Sequence, residues 1–124
     1  MTVREYIQEN WKNSIRKGEY KNLPYPYNSP SCEQTSDVGF ENFFYWDTYF
    51  INLGLLCDGL EEQALNNIRN MIFLIGKYGY VPNVAVEGGD NRSQFPVFIP
   101  MCHAYWQYTG CLLYTSDAAD EARS

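Results

Sequence analysis

What most restricts the fold of this 124-residue chain is where its helix-breaking residues fall. Gly18 is followed by prolines at 24, 26 and 30, and then Asp58-Gly59, Gly79, Pro82 and Gly88-Gly89 punctuate the remainder. Glycine and proline interrupt regular structure because one widens and the other narrows the backbone angles available. Between these breaks apolar residues recur at helical spacing, and no stretch alternates with the period of a strand. The chain therefore reads as α-helices joined by long loops.

The spacing predicts a helix over 3–17, with Val3, Tyr6, Ile7, Trp11 and Ile15 in register and Gly18 as the stop. A second helix is expected from about Phe44 to Cys57, and a third over 61–78. In the third, Leu65, Ile68, Ile72 and Ile75 form the apolar stripe, while Glu61, Glu62, Asn66, Asn67 and Lys77 form the wet side. A fourth is expected over about 93–108, with Pro96 in its first turn. Pro100 should kink that helix or delay its start. The proline-rich stretch and the polar run after it, "NLPYPYNSPSCEQTSDVGFEN", make a loop of a length that usually marks function.

The second helix opens inside "FENFFYWDTYF", where seven of eleven residues are aromatic and Asp47 follows Trp46. Tyr45, Tyr49, Asn52 and Leu56 share one side, and Trp46, Phe50, Leu53 and Cys57 another. Such a helix, apolar nearly all round, is expected to be buried in a larger body. By itself Asp47 fits two roles. It can serve the positive end of the helix dipole, or it can accept sugar hydroxyls while an aromatic face stacks on the ring's C–H groups. Asn83 and the run Arg92-Ser93-Gln94 bear hydrogen-bonding groups suited to a hydroxylated ligand, although Ser93 could simply cap a helix. His103, the sole histidine, is expected as a core residue, and Asp58, Glu61 and Glu62 as capping and solvated charges at a helix junction.

A net charge of −6 without a basic cluster excludes a nucleic-acid partner. No apolar run is long enough to span a membrane. Aromatic residues make up 17% of the chain, which suits a ligand with both polar groups and apolar faces. The cysteines at 32, 57, 102 and 111 lack paired spacing, so neither zinc nor a disulfide framework is expected, and reduced thiols point to the cytoplasm.

"LPYPY", "FENFFYWDTYFINLGL", "KYGYVPN" and "RSQFP" occur here in an order and spacing that resembles the trehalase family of glycoside hydrolases. The step of nine residues from Asn83 to Arg92 matches that pattern as well. The resemblance implies an all-α fold, the first helical hairpins of an incomplete six-hairpin (α/α) toroid, with residues 1–110 as the N-terminal part of the catalytic domain. It implies inverting hydrolysis of α,α-trehalose or a related α-glucoside, without a cofactor. It assigns substrate binding to Phe40, Trp46, Asp47, Asn83, Arg92, Ser93 and Gln94. No catalytic residue is assigned, because the family's acid and base fall beyond Gly110. Two departures bear on the sugar: Gly39 stands where the family has Arg, and the 84–91 loop lacks the family's Asn-Gly-Asn-Arg run. The competing reading is a non-catalytic sugar-binding or structural helical module.

Residues 111–124 are expected to be a non-native tail. Cys111 to Glu121 resembles a translated sequencing-library adapter, although "SDAADEAR" would also suit a helical end. Without the acid and base, the 124-residue chain alone should release no glucose from trehalose. An enzyme-coupled glucose assay on the purified chain checks this.

Overall fold

The computed structural model describes residues 1–18, 22–31, 42–82, 84 and 96–110. In chain order these form α1 (Val3–Ser14), β1 (Ile15–Arg16), β2 (Tyr27–Asn28), α2 (Tyr45–Cys57), α3 (Glu61–Tyr78) and α4 (Phe98–Thr109). The described chain is thus all-α apart from one short antiparallel pair, as expected of helical hairpins from a toroid. None of its helices is long and apolar enough to cross a membrane.

Local chemistry explains the element ends. Thr2 accepts the Glu5 backbone N–H at 3.1 Å and starts α1. That helix stops at Ser14, three residues short of the predicted end, because Ile15 and Arg16 pair with Asn28 and Tyr27. The proline-rich loop is consequently not structureless. Gly18 lies beneath it with no room for a side chain, since a Cβ there would stand 2.2 Å from the Tyr25 carbonyl oxygen. Gly79 closes α3 in the left-handed conformation, its N–H donating to the Ile75 carbonyl at 2.7 Å.

Pro100 delays α4, as one of the two expected outcomes had it. Proline is free of penalty only in the first turn, where its missing N–H has no acceptor to serve. Phe98 is the first helical residue, Pro100 the third, and the first helical bond runs from Met101 N–H to Val97 O at 2.9 Å. Residues 93–95, where the helix was predicted to begin, lie outside the described residues. Pro96 precedes the helix rather than entering it.

The core sits among α2, α3 and α4, around Leu55, Met71 and Met101, each 0% exposed. Burying one such side chain stabilises the fold by roughly 2 kcal/mol. The α3 stripe is wider than predicted. Leu65, Ile68 and Ile75 are buried and Ile72 partly so, but Asn67, placed on the wet side by spacing, is 0% exposed, as is Asn70. One further expectation is corrected. His103 is exposed against Trp106, with ring centroids 5.5 Å apart, and is not a core residue. The Trp46 and Phe50 side of α2 is exposed at 44% and 57%, because only the opposite side, with Tyr45, Thr48, Asn52, Leu55 and Leu56, meets α3 and α4.

Asn67 and Asn70 are buried because they bind the proline-rich segment. Asn70 accepts the Tyr25 N–H at 3.1 Å and donates to the Tyr25 carbonyl at 3.0 Å. Asn67 accepts the Asn28 N–H at 3.2 Å and donates to Asn28 Oδ1 at 3.0 Å and Asn52 Oδ1 at 2.9 Å. Asn67→Ala strands the buried Asn28 N–H and the Asn52 amide oxygen, while Asn28 Oδ1 keeps Gln63, so it should lower stability by about 3 kcal/mol, more than Asn66→Ala at its half-buried neighbour. Urea unfolding followed by circular dichroism measures the difference.

Candidate functional site

The site begins where α2 begins. Phe44 is the N-cap, extended, and supplies no side-chain cap. Its backbone instead forms an antiparallel bridge with Val84. One residue on, the Tyr45 side chain is buried and its hydroxyl accepts the Phe98 N–H at 3.0 Å. That bond supplies the cap that Val97 lacks at the start of α4. Burial raises the Tyr45 pKa and the N–H groups of Phe98 and Val97 oppose the rise, so the hydroxyl stays neutral and in place. The starts of α2 and α4 and the chain at Val84 therefore meet at one rim.

Asp47 lies in the first turn of α2. It lines a cleft of about 390 Å³ with Tyr6, Asn10 and Trp11 of α1, Pro30, and Phe50 of its own helix. Partial burial there pushes its carboxyl above the usual carboxylate value. Successive helix positions diverge, so Trp46 is not among the residues that wall this cleft. Trp46 instead meets Phe50 edge to face, with centroids 5.9 Å apart and planes at 75°. The aromatic residues that line the cleft with Asp47 are thus Tyr6, Trp11 and Phe50.

Of the predicted sugar-binding residues, Trp46 and Asp47 are described. Phe40, Asn83, Arg92, Ser93 and Gln94 lie outside the described residues.

Sequence reasoning missed Asp58. The residue was read with Gly59 as a helix stop and does form the C-cap of α2. Its carboxylate, however, is only 8% exposed, ion-pairs with Arg4 at 3.1 Å and accepts the Trp11 indole N–H at 2.7 Å. Its partners are 47 and 54 positions away in sequence, so local spacing carries no sign of them. The thiols differ as well. Cys57 is exposed, whereas Cys102 is buried and pushed up to about 12.

Packed helical hairpins, with Asp47 in the first turn of α2 and aromatic residues lining the same cleft, make this an all-α chain consistent with part of a helical toroid. The family model described as trehalase matches residues 1–123, and the chain belongs to that family. It is 32% identical over 78 residues to a trehalase of Pimpla hypochondriaca, covering 63% of this chain and 13% of that protein. It is 31% identical over 112 residues to a trehalase of Tenebrio molitor, covering 84% of this chain and 20% of that protein. A periplasmic trehalase of Xanthomonas oryzae pv. oryzae is 31% identical over 103 residues, which is 77% of this chain and 17% of the relative. The chain therefore spans a fifth or less of these relatives' length.

The raised Asp47 pKa has a consequence for stability. A carboxyl raised above its ordinary 3.8 contributes stability that is complete below that value and is lost as pH rises through the folded pKa. Asp47→Asn has no such titration. Relative to the unsubstituted chain, it should be more stable at about pH 7 than at about pH 3. Urea midpoints of both proteins at the two pH values measure the sign.

Proposed function

We propose that the complete protein hydrolyses α,α-trehalose or a related α-glucoside with inversion, and that this chain contributes sugar-binding residues. The observation that carries the reading is Asp47. A carboxylate at a helix N-terminus, partly withdrawn from water and flanked by aromatic rings, is a strong acceptor for paired hydroxyls. Trp46 supplies a further apolar face, and Phe40, Asn83, Arg92, Ser93 and Gln94 complete the sugar-binding set. Membership of the trehalase family supports this assignment.

The general acid and general base are placed beyond Gly110, and none of the carboxylates on this chain is given either role. In an inverting hydrolysis one carboxylic acid protonates the departing glycosidic oxygen. The other draws a proton from water attacking the opposite face of the ring, which needs a separation of about 6.5–9.5 Å between the two. The sugar-binding residues of this chain would hold the ring so that both act on the same anomeric carbon. The departures at Gly39 and in the 84–91 loop leave room for an α-glucoside other than trehalose. The unpaired cysteine spacing supports a cytoplasmic setting, although Xanthomonas relatives are named as periplasmic.

In the complete enzyme, Asp47→Ala should lower kcat/KM for trehalose by about 30-fold or more, the equivalent of one charge-assisted hydrogen bond near 2 kcal/mol. Steady-state glucose release checks it. Unchanged kcat/KM removes Asp47 from the site. A complete protein that binds trehalose without turnover supports the non-catalytic module instead.

A further inference from the structure

Helix α1 is poorly held by apolar burial. Ser14 is its only buried residue, and Val3, Tyr6 and Ile7 are 77%, 59% and 45% exposed. It nevertheless forms one wall of the Asp47 cleft, through Tyr6, Ile7, Asn10 and Trp11. Of that wall Trp11 alone packs against the core, so polar contacts must help to fix how closely it approaches Asp47.

The fixing point is at the far end of α2. Arg4, Gln8 and Trp11 stand at helical intervals on one face of α1, and all three reach the Asp58 carboxylate. Arg4 Nη2 lies 3.1 Å from Oδ1, Gln8 Nε2 donates to Oδ1 at 3.5 Å, and the Trp11 indole N–H donates to Oδ2 at 2.7 Å. The carboxylate is 8% exposed, so its bonds are sheltered, while Arg4 at 68% exposure adds a screened contact. Trp11 can lie this close because Gly54 offers no side chain: a Cβ there would stand 3.0 Å from the indole ring. A single side chain, Trp11, thus touches Asp58 at one edge and walls the Asp47 cleft with the rest.

We propose that Asp58 is a positioning residue for the Asp47 cleft, holding Trp11 so that α1 closes the cleft over the carboxylate. Asp47 and Asp58 are 11 residues apart, about 16 Å along a helix. At that separation direct charge coupling is largely screened at physiological salt, so the contacts to α1, and not the charge of Asp58, are what would reach Asp47. The inference stands on its own geometry. Only its consequence for turnover rests on the sugar-binding reading of Asp47, and the test below does not use turnover.

The experiment is a site-resolved NMR titration of the Asp47 carboxyl, together with amide hydrogen exchange along α1. Both are made on the 124-residue chain with Asp58→Ala, Trp11→Phe and Arg4→Ala. Trp11→Phe removes the indole donor without changing charge, keeps an aromatic ring over Gly54, and decides the matter should Asp58→Ala fail to fold. The expected result is about tenfold faster exchange in α1 and a fall of the Asp47 pKa toward its ordinary value, in both Asp58→Ala and Trp11→Phe. Arg4→Ala should change both readings far less. Loss of α1 protection with an unmoved Asp47 titration would make Asp58 a structural tether only and overturn the proposal. Unchanged α1 protection in Trp11→Phe would overturn it as well.

Discussion

Everything in this structure depends on a set of buried amides along α3. The segment around Tyr25 and Tyr27 carries prolines at 24, 26 and 30, so it cannot form a helix and enters a ladder only through the two residues of β2. Its backbone groups lie partly or fully buried against α3 and need partners. Asn70 meets both the N–H and the carbonyl of Tyr25, as a neighbouring strand would. Gln63 donates to the Pro26 carbonyl at 3.1 Å and to Asn28 Oδ1 at 2.9 Å, and Asn67 links Asn28 to Asn52 on α2. Side-chain amides serve because each offers a donor and an acceptor in the geometry of a peptide group.

The rest of the arrangement follows outward from that seam. Asn28 donates to the Ser14 hydroxyl at 2.9 Å, and Ser29 N–H donates to the Ser14 carbonyl at 2.9 Å. These bonds end α1 and direct the chain into β1. Arg16 reaches Ser29 at 2.8 Å and secures the outgoing side of the same loop. With the loop pinned to α3 and α1 tied to it at one end, Asp58 needs to hold only the other end. The cleft at Asp47 is thus framed by polar contacts at both ends of α1, although its walls are largely apolar.

The rim has a simpler origin. One helix, α3, separates α2 from the chain that leads into α4, so α2 and α4 begin at the same end of the packed group. The Tyr45 hydroxyl makes that common end tight by capping α4 from a neighbouring helix. This bond is also why a tyrosine rather than a phenylalanine suits position 45: the ring fills core and the hydroxyl meets an N–H that has no acceptor in its own helix.

The existence and type of the four helices among the described residues were legible in the sequence, because apolar periodicity is a local property and Gly59, Gly79 and Pro100 punctuate it. The start of α2 and the placing of Asp47 in its first turn were legible for the same reason. Asn67 was misjudged because an amide reads as a surface residue unless its partner is known, and that partner lies 39 residues earlier. His103 was misjudged in the opposite sense, since a lone histidine carries no sign of which helix face will be covered. By itself the sequence determined the helices, the stops of α2 and α3 and the family, all of which rest on short-range spacing. Only the tertiary structure decided which polar residues are buried, which side of α2 is covered and what Asp58 holds. Those depend on hydrogen bonds between distant segments, and local pattern holds no record of them.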